Sequence, residues 1–416
     1  MNILSFSKHR YISYCLIFYF ICPTFWGYIN VSEGQLLYNL LTIVISYAPL
    51  LVLRKSTIPA VPLLLFGSLF LAYCTTLSIN QITSGGGINP KDYTDILRPV
   101  FYIAFFSIPL FINYRPRYLK DTLHTFFLIA FGVLVLDLIK FVPAFYPVMR
   151  LYSVFQPLSL NYVRFSGTFS YCYNYGYILI FPFVFLLLYG QHKLIKLFLF
   201  LTIAILIGSR SVLLAFSVVL ILLFLNSDTP IIKKVGVLIT APIILMIILT
   251  ILRLLEIDFI QDILDNIEKL YNALTGESDD GSLHTRNNEL ALALDRFFSN
   301  PLFGGGPMKN SDHVIEIQLG YYLSAWGIIG ILLFLSLNAF FFINAYRCRT
   351  DSDPIISIFS RANCYWIFAA FIVGMSTPTT DQIRVFQIYY LIQGIQYSIY
   401  KYRHNVSKQS VSTILQ

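Results

Sequence analysis

The chain reads as an all-α polytopic membrane protein of about 12 transmembrane helices, with a helical periplasmic segment between spans 9 and 10. Three observations predict this. Of its 416 residues 57% are hydrophobic and 12% charged, against roughly 45–50% and about 25% in soluble chains. The mean hydropathy is +0.69. Apolar runs close to the roughly 20 residues that cross a hydrocarbon core recur along its whole length. A secreted domain, a cytosolic enzyme and a nucleic-acid binder are excluded on composition. The net charge of +8 fits basic loops facing anionic lipid, and the 37 Phe and 29 Tyr suit lipid contact and interfacial belts.

In order, the apolar runs cover 11–29, 36–53, 58–80, 99–113, 122–142, 171–189, 194–208, 212–226, 235–253, 318–344, 355–376 and 386–400. Lys8 and Arg10 precede the first, which is longer than a signal-peptide core and is expected to stay as a helix. The stretch 194–226 would form a helix of about 50 Å, too long for one crossing. Gly208-Ser209-Arg210-Ser211 in its middle predicts two short helices. Spans 1–9 therefore occupy 1–253, with an outer loop at 143–170. A periplasmic segment follows at 254–317, spans 10–12 at 318–400 and a tail at 401–416. In the periplasmic segment, Ile257, Ile260, Ile263, Leu264, Ile267, Leu270, Tyr271 and Leu274 oppose Asp262, Asp265, Glu268 and Lys269. This is the spacing of an amphipathic helix on the membrane surface or capping the bundle.

Basic residues set the orientation. Lys8, Arg10, Arg54, Lys55, Arg115, Arg117, Lys120, Lys193, Lys196, Lys233, Lys234, Arg347, Arg349, Arg361, Lys401, Arg403 and Lys408 share one side, so both termini are expected in the cytoplasm. The six Cys show no C-x-x-C spacing and read as packing residues.

Charges at membrane edges are costly and therefore mark function. With this topology Arg98, Arg164, Arg210, Arg286, Arg296 and Arg384 fall at outer span ends or in outer loops. Guanidinium forks match phosphate oxygens and stay charged, so an Arg-rich outer cavity points to an anionic substrate. Only His284 and His313 lie on that side. His313 follows a glycine-rich turn, beside Asp312 and one helical turn from Glu316, a carboxylate that could orient its ring. Asp351-Ser352-Asp353 resembles a metal-holding D-x-D, but sits in a short inner loop among arginines. No H-E-x-x-H, Walker loop or G-x-S-x-G occurs. No metal and no cofactor is expected.

Several of these residues fall into an order resembling the O-antigen ligase and polymerase superfamily. Arg210 with Leu214 is similar to its R-x-x-x-L signature. Arg286, leading to Asn300-Pro301-Leu302-Phe303-Gly304, is similar to its "R … hPl-G-x-G" pattern. His313 and Gly327-Ile328-Ile329-Gly330 resemble its "H-N-x-x-L … G-x-x-G" pattern, with Val314 where the family has Asn. Arg164 to Phe169, with Asn174 beyond, resembles another recurring block. Arg296 and Gly306 stand one residue too close for the polymerases' R-x10-G loop.

The resemblance implies a glycosyltransferase of the bacterial inner membrane. It would take an undecaprenyl-diphosphate-linked oligosaccharide on the periplasmic face, with no nucleotide sugar and no metal. On that reading Arg210 and Arg286 stabilise the departing diphosphate and His313 takes the acceptor hydroxyl proton, with inversion. Arg98, Arg164, Asn174, Arg296, Glu316 and Arg384 would bind substrate. The aromatic content, with Tyr171, Tyr173, Tyr175, Tyr321 and Tyr322 at outer positions, favours the O-antigen polymerase over the ligase that transfers glycan to the lipid A core. Membrane lipid, a chain-length regulator and a flippase are the expected partners, and nucleic acid is not. The rival from another class is a lipid-linked oligosaccharide flippase. It predicts titratable residues at mid-bilayer, where only Asp137 and Lys140 stand out.

Overall fold

The computed structural model describes residues 8–25, 31–48, 59–84, 90–139, 142–155, 165–190, 193–227, 230, 281–307 and 315–414. Among these, helices alone form the architecture. They are α1 (Lys8–Ile21), α2 (Val31–Tyr47), α3 (Ala60–Ser84), α4 (Pro90–Ile96), α5 (Arg98–Phe111), α6 (Leu119–Ile139) and α7 (Tyr146–Phe155). After them come α8 (Cys172–Leu188), α9 (Lys193–Ile207), α10 (Arg210–Leu225), α11 (Gly281–Ser299), α12 (Gln318–Cys348), α13 (Pro354–Val373) and α14 (Val385–Ile414).

Five segments among the described residues are long and apolar enough to cross a membrane: Ala60–Ile82, Asp92–Phe111, Pro116–Asp137, Gln318–Cys348 and Pro354–Val373. Shorter apolar helices accompany them, α8, α9 and α10 included. The expected span at 235–253 and the amphipathic run at 257–274 lie outside the described residues. The stretch 194–226 divides where its sequence breaks. Gly208 takes φ +63 and Ser209 is extended, so α10 restarts at Arg210.

The centre of the bundle is α14, which packs along α5 and against α12, while α13 packs on α8, α12 and α10. In lipid, apolar side chains gain little by leaving the solvent, so close packing and interhelical hydrogen bonds carry the association. The inward faces of α13 and α14 supply these bonds. Asn363 and Gln393 exchange a reciprocal amide pair at 3.0 and 2.9 Å. Gln396 donates to Ser360 at 3.1 Å, Gln387 to Asn39 at 2.8 Å, and Tyr389 to Asn338 at 2.9 Å. The Trp366 indole donates to the Tyr177 carbonyl at 2.9 Å. At about 0.6 kcal/mol each, these bonds fix the register of four helices around α14.

Two glycine-containing stretches are structural partners of each other. Helix α12 breaks at Gly327, which has φ 64 and ψ −163. The broken turn frees backbone groups that must be satisfied inside the protein, and the glycine turn after α11 does this. Gly305 and Gly306 donate to the carbonyls of Ser324 and Ala325 at 2.7 and 2.9 Å, and Ile328 donates to Pro301 at 2.9 Å. The approach is tight enough that a Cβ on Gly327 would lie 2.4 Å from the Leu302 carbonyl oxygen. Thr76 of α3 adds a hydrogen bond to the Phe303 carbonyl at 2.8 Å. The dock seats α11, and Arg286 with it, against α12.

Candidate functional site

At the end of the bundle where α12 begins, polar side chains converge from α11, from 315–318 and from the starts of α5, α8 and α14. Arg286 stands on α11 and reaches Glu289 on the same helix at 2.6 Å and Glu316 across the gap at 2.5 Å. Glu289 is buried, and its second oxygen accepts the Glu316 backbone N–H at 2.9 Å. The segment just after His313 is thereby tied to α11. Burial works against the charge of Arg286, but the hydrogen bonds and charges of Glu289 and Glu316 outweigh it and raise the guanidinium above its ordinary value. The Glu316 side chain is 48% exposed, so one of the two carboxylates faces open space.

The second cluster lies deeper. Arg98 opens α5, pairing with Asp95 at 2.7 Å and with Asp381, in the turn before α14, at 3.4 Å. Three tyrosine–carboxylate hydrogen bonds and two aromatic stacks surround it. Tyr102 and Tyr322 donate to one Asp381 oxygen at 2.7 and 3.2 Å, and Tyr321 donates to Asp95 at 2.7 Å. Tyr102 stacks on Tyr390 with centroids 4.3 Å apart, and Tyr73 on Trp326 at 3.8 Å. Burial pushes the Asp381 carboxyl above its usual range, against the pull of the Arg98 charge and the tyrosine hydroxyls. Two carboxyl groups thus share one guanidinium in a protein-lined site. Tyr321 links the clusters, packing on Ala293 and Ile315 while bonding Asp95.

Beside Glu316 stands an aromatic platform. Tyr171 and Tyr173 stack with centroids 5.1 Å apart, and Tyr171 is 43% exposed. The Glu316 charge acts on the Tyr171 hydroxyl. Asn174, one turn on, is buried, and its side-chain oxygen has no hydrogen-bond partner among the described residues. Of the five tyrosines expected at outer positions, Tyr175 and Tyr322 are buried, spending their hydroxyls on the Ala130 carbonyl and Asp381.

The remaining predicted residues separate. Arg384 is fully buried at φ 70, donating to the carbonyls of Thr168 and Cys22 and to the Tyr152 hydroxyl. Main-chain acceptors occupy it, so it braces the loop before α8 against α1 and α7 instead of facing a substrate. Arg210 is half-buried at the start of α10, between Ser209 and Ser211, whose hydroxyls lie 3.2 Å apart. Arg296 is half-buried near the end of α11, where burial lowers its guanidinium despite the Asp295 charge. His284 is exposed and bonds Asn288 at 3.0 Å. Arg164 and His313 lie outside the described residues.

Other singled-out residues have structural duties. Asp353 caps α13 by accepting the Ile355 N–H at 2.9 Å, while Asp351 accepts from Arg403 and from the Asp353 backbone. Asp137 accepts the backbone N–H groups of Ser166 and Gly167 at 3.4 and 2.5 Å, holding the turn after Arg164. Lys140 is outside the described residues.

Sequence reasoning passed over Asp95, Asp381 and Tyr102. A signal existed for Asp95, placed one helical turn before Arg98. For Asp381 the pairing joins residues 283 positions apart (381 minus 98), and no local pattern announces it. Compared with known proteins, the chain matches no family model, and no curated protein matches it.

Proposed function

We propose that the chain is a polymerase of polyprenyl-diphosphate-linked oligosaccharide repeat units, such as those of O-antigen or capsule. It would span the bacterial inner membrane about twelve times with both termini in the cytoplasm, and work at the periplasmic face by metal-independent inverting glycosyl transfer. One observation carries the reading. Arg286, on a helix docked by the glycine turn, meets an exposed carboxylate three residues after His313, beside the open Tyr171–Tyr173 pair. The order of the motifs in the sequence supports it as well.

The chemistry follows from these parts. The donor sugar is activated by its diphosphate. As the glycosidic bond to that diphosphate breaks, negative charge grows on the leaving group, and Arg286 and Arg210 stabilise it in a low-dielectric setting. Arg286 is occupied by Glu316 without substrate. A diphosphate, carrying more charge than a carboxylate, takes its place and frees Glu316 to turn toward His313. The acceptor hydroxyl attacks the anomeric carbon while His313 takes its proton, and one displacement inverts the configuration. The tyrosine pair offers a face for a sugar ring, and the orphaned oxygen of Asn174 an acceptor for a sugar hydroxyl.

The test uses purified protein and carrier-linked repeat units. Arg286→Lys keeps the charge but loses the fork, and the expected drop in chain growth is roughly 100-fold; His313→Ala abolishes growth. Unimpaired growth in either variant contradicts the assignment. The flippase reading draws on one observation, the buried Asp95–Arg98–Asp381 cluster. It predicts that Asp381→Asn stops carrier translocation in vesicles, which the polymerase reading does not.

A further inference from the structure

We infer that the opposite end of the bundle holds a binding site for one anionic phospholipid, its phosphate between Arg349 and Arg361 and an acyl chain in the groove beside them. A cavity of about 570 Å³ opens there between the end of α10, the end of α12 and the middle of α13. Its apolar wall includes Leu222, Phe342 and Phe368, the last two exposed.

The two arginines supply the charge. Arg361 lies seven residues into α13, about 10 Å along the axis, on one of the five spanning segments. A charge at that depth requires a partner. Among the described residues neither Arg361 nor Arg349 forms an ion pair with a carboxylate. Arg349 lies over the Tyr346 ring with its guanidinium carbon 3.2 Å from the centroid, and donates to the Tyr346 carbonyl at 3.3 Å. This contact steers the fork and leaves its other donors for an acceptor. Arg403 at the same end is different, because Asp351 already holds it at 2.9 Å. Two guanidiniums without carboxylates above an apolar, aromatic-walled groove complement a phosphate with a hydrocarbon tail. A soluble anion lacks the tail, and a zwitterionic lipid brings an ammonium beside the two guanidiniums that offsets the attraction of its phosphate.

Native mass spectrometry of the full-length chain in detergent, mixed with phosphatidylglycerol or phosphatidylcholine of equal chain length, tests the site. The intact chain should retain phosphatidylglycerol about tenfold more strongly. Combining Arg349→Gln with Arg361→Gln should erase that preference, and Arg403→Gln should keep it. Leu222→Trp fills the groove while sparing both arginines, so it reports even where the double variant folds poorly; it should also erase the preference. Inorganic phosphate should displace no lipid. Equal retention of the two lipids overturns the inference. So does a preference that survives Leu222→Trp or the double variant, an equal loss in Arg403→Gln, or displacement by phosphate alone.

Discussion

Arg286 and Arg384 stand at the same end of the bundle with the same planar fork of donors, and their surroundings set them to different tasks. Arg384 is sealed from solvent and gives its donors to two main-chain carbonyls and a tyrosine hydroxyl, from three separate parts of the chain. Those acceptors cannot move without moving the fold. Arg286 gives its donors to two side-chain carboxylates, one of them half-exposed on a movable side chain. An anionic ligand can replace the second kind of partner and not the first. At a membrane edge, the identity and mobility of the acceptors separate an arginine that holds structure from one that can hold substrate; position and charge do not.

Substitutions can break that comparison. The largest effect on stability is expected for Arg384→Ala, which orphans two buried carbonyls at about 1–3 kcal/mol each, read as a loss of folded protein after detergent extraction and a lowered Tm. Arg286→Ala leaves the buried Glu289 with the Glu316 N–H as its bond, so it should lower the Tm less than Arg384→Ala does while removing activity. If the two variants lost stability equally, the distinction would fail. Next comes Gly327→Ala, where positive φ and the Leu302 carbonyl 2.4 Å from the new Cβ predict about 1–3 kcal/mol. Chain growth should fall too, because the dock that seats α11 is strained; thermal unfolding and the growth assay check both. Tyr321→Phe removes the hydrogen bond to Asp95 and should cost about 1 kcal/mol. The smallest effect sharpens the chemistry: EDTA should change the rate by less than about twofold, since charge stabilisation rests on guanidinium groups, and strong inhibition reversed by a divalent ion would revive the Asp351–Asp353 motif.

The helical architecture and most helix positions were legible because apolar periodicity and length are local signals. The division of 194–226 could be read from Gly208-Ser209-Arg210, where a glycine with positive φ ends one helix and an extended serine precedes the next. The candidate site was legible only in part. Sequence spacing put Glu316 near His313, yet it gave no hint that Glu316 and Glu289 would share Arg286, because that contact closes across two elements. Arg384 looked like a substrate contact on position alone. Its enclosure depends on Thr168 and Cys22, 216 and 362 residues away, and no short-range pattern encodes it. The glycine-rich stretch after α11 was readable as a turn, whereas the break at Gly327, inside an apolar run read as one span, and its pairing with that turn needed the folded chain.

One measurement bears most directly on the proposed reaction. Purified protein in vesicles, given only the polyprenyl-diphosphate-linked repeat unit, should build a ladder of longer glycans and release one polyprenyl diphosphate for every linkage formed. Vesicles that move the carrier-linked unit across the bilayer, without a ladder and without released diphosphate, would contradict the account.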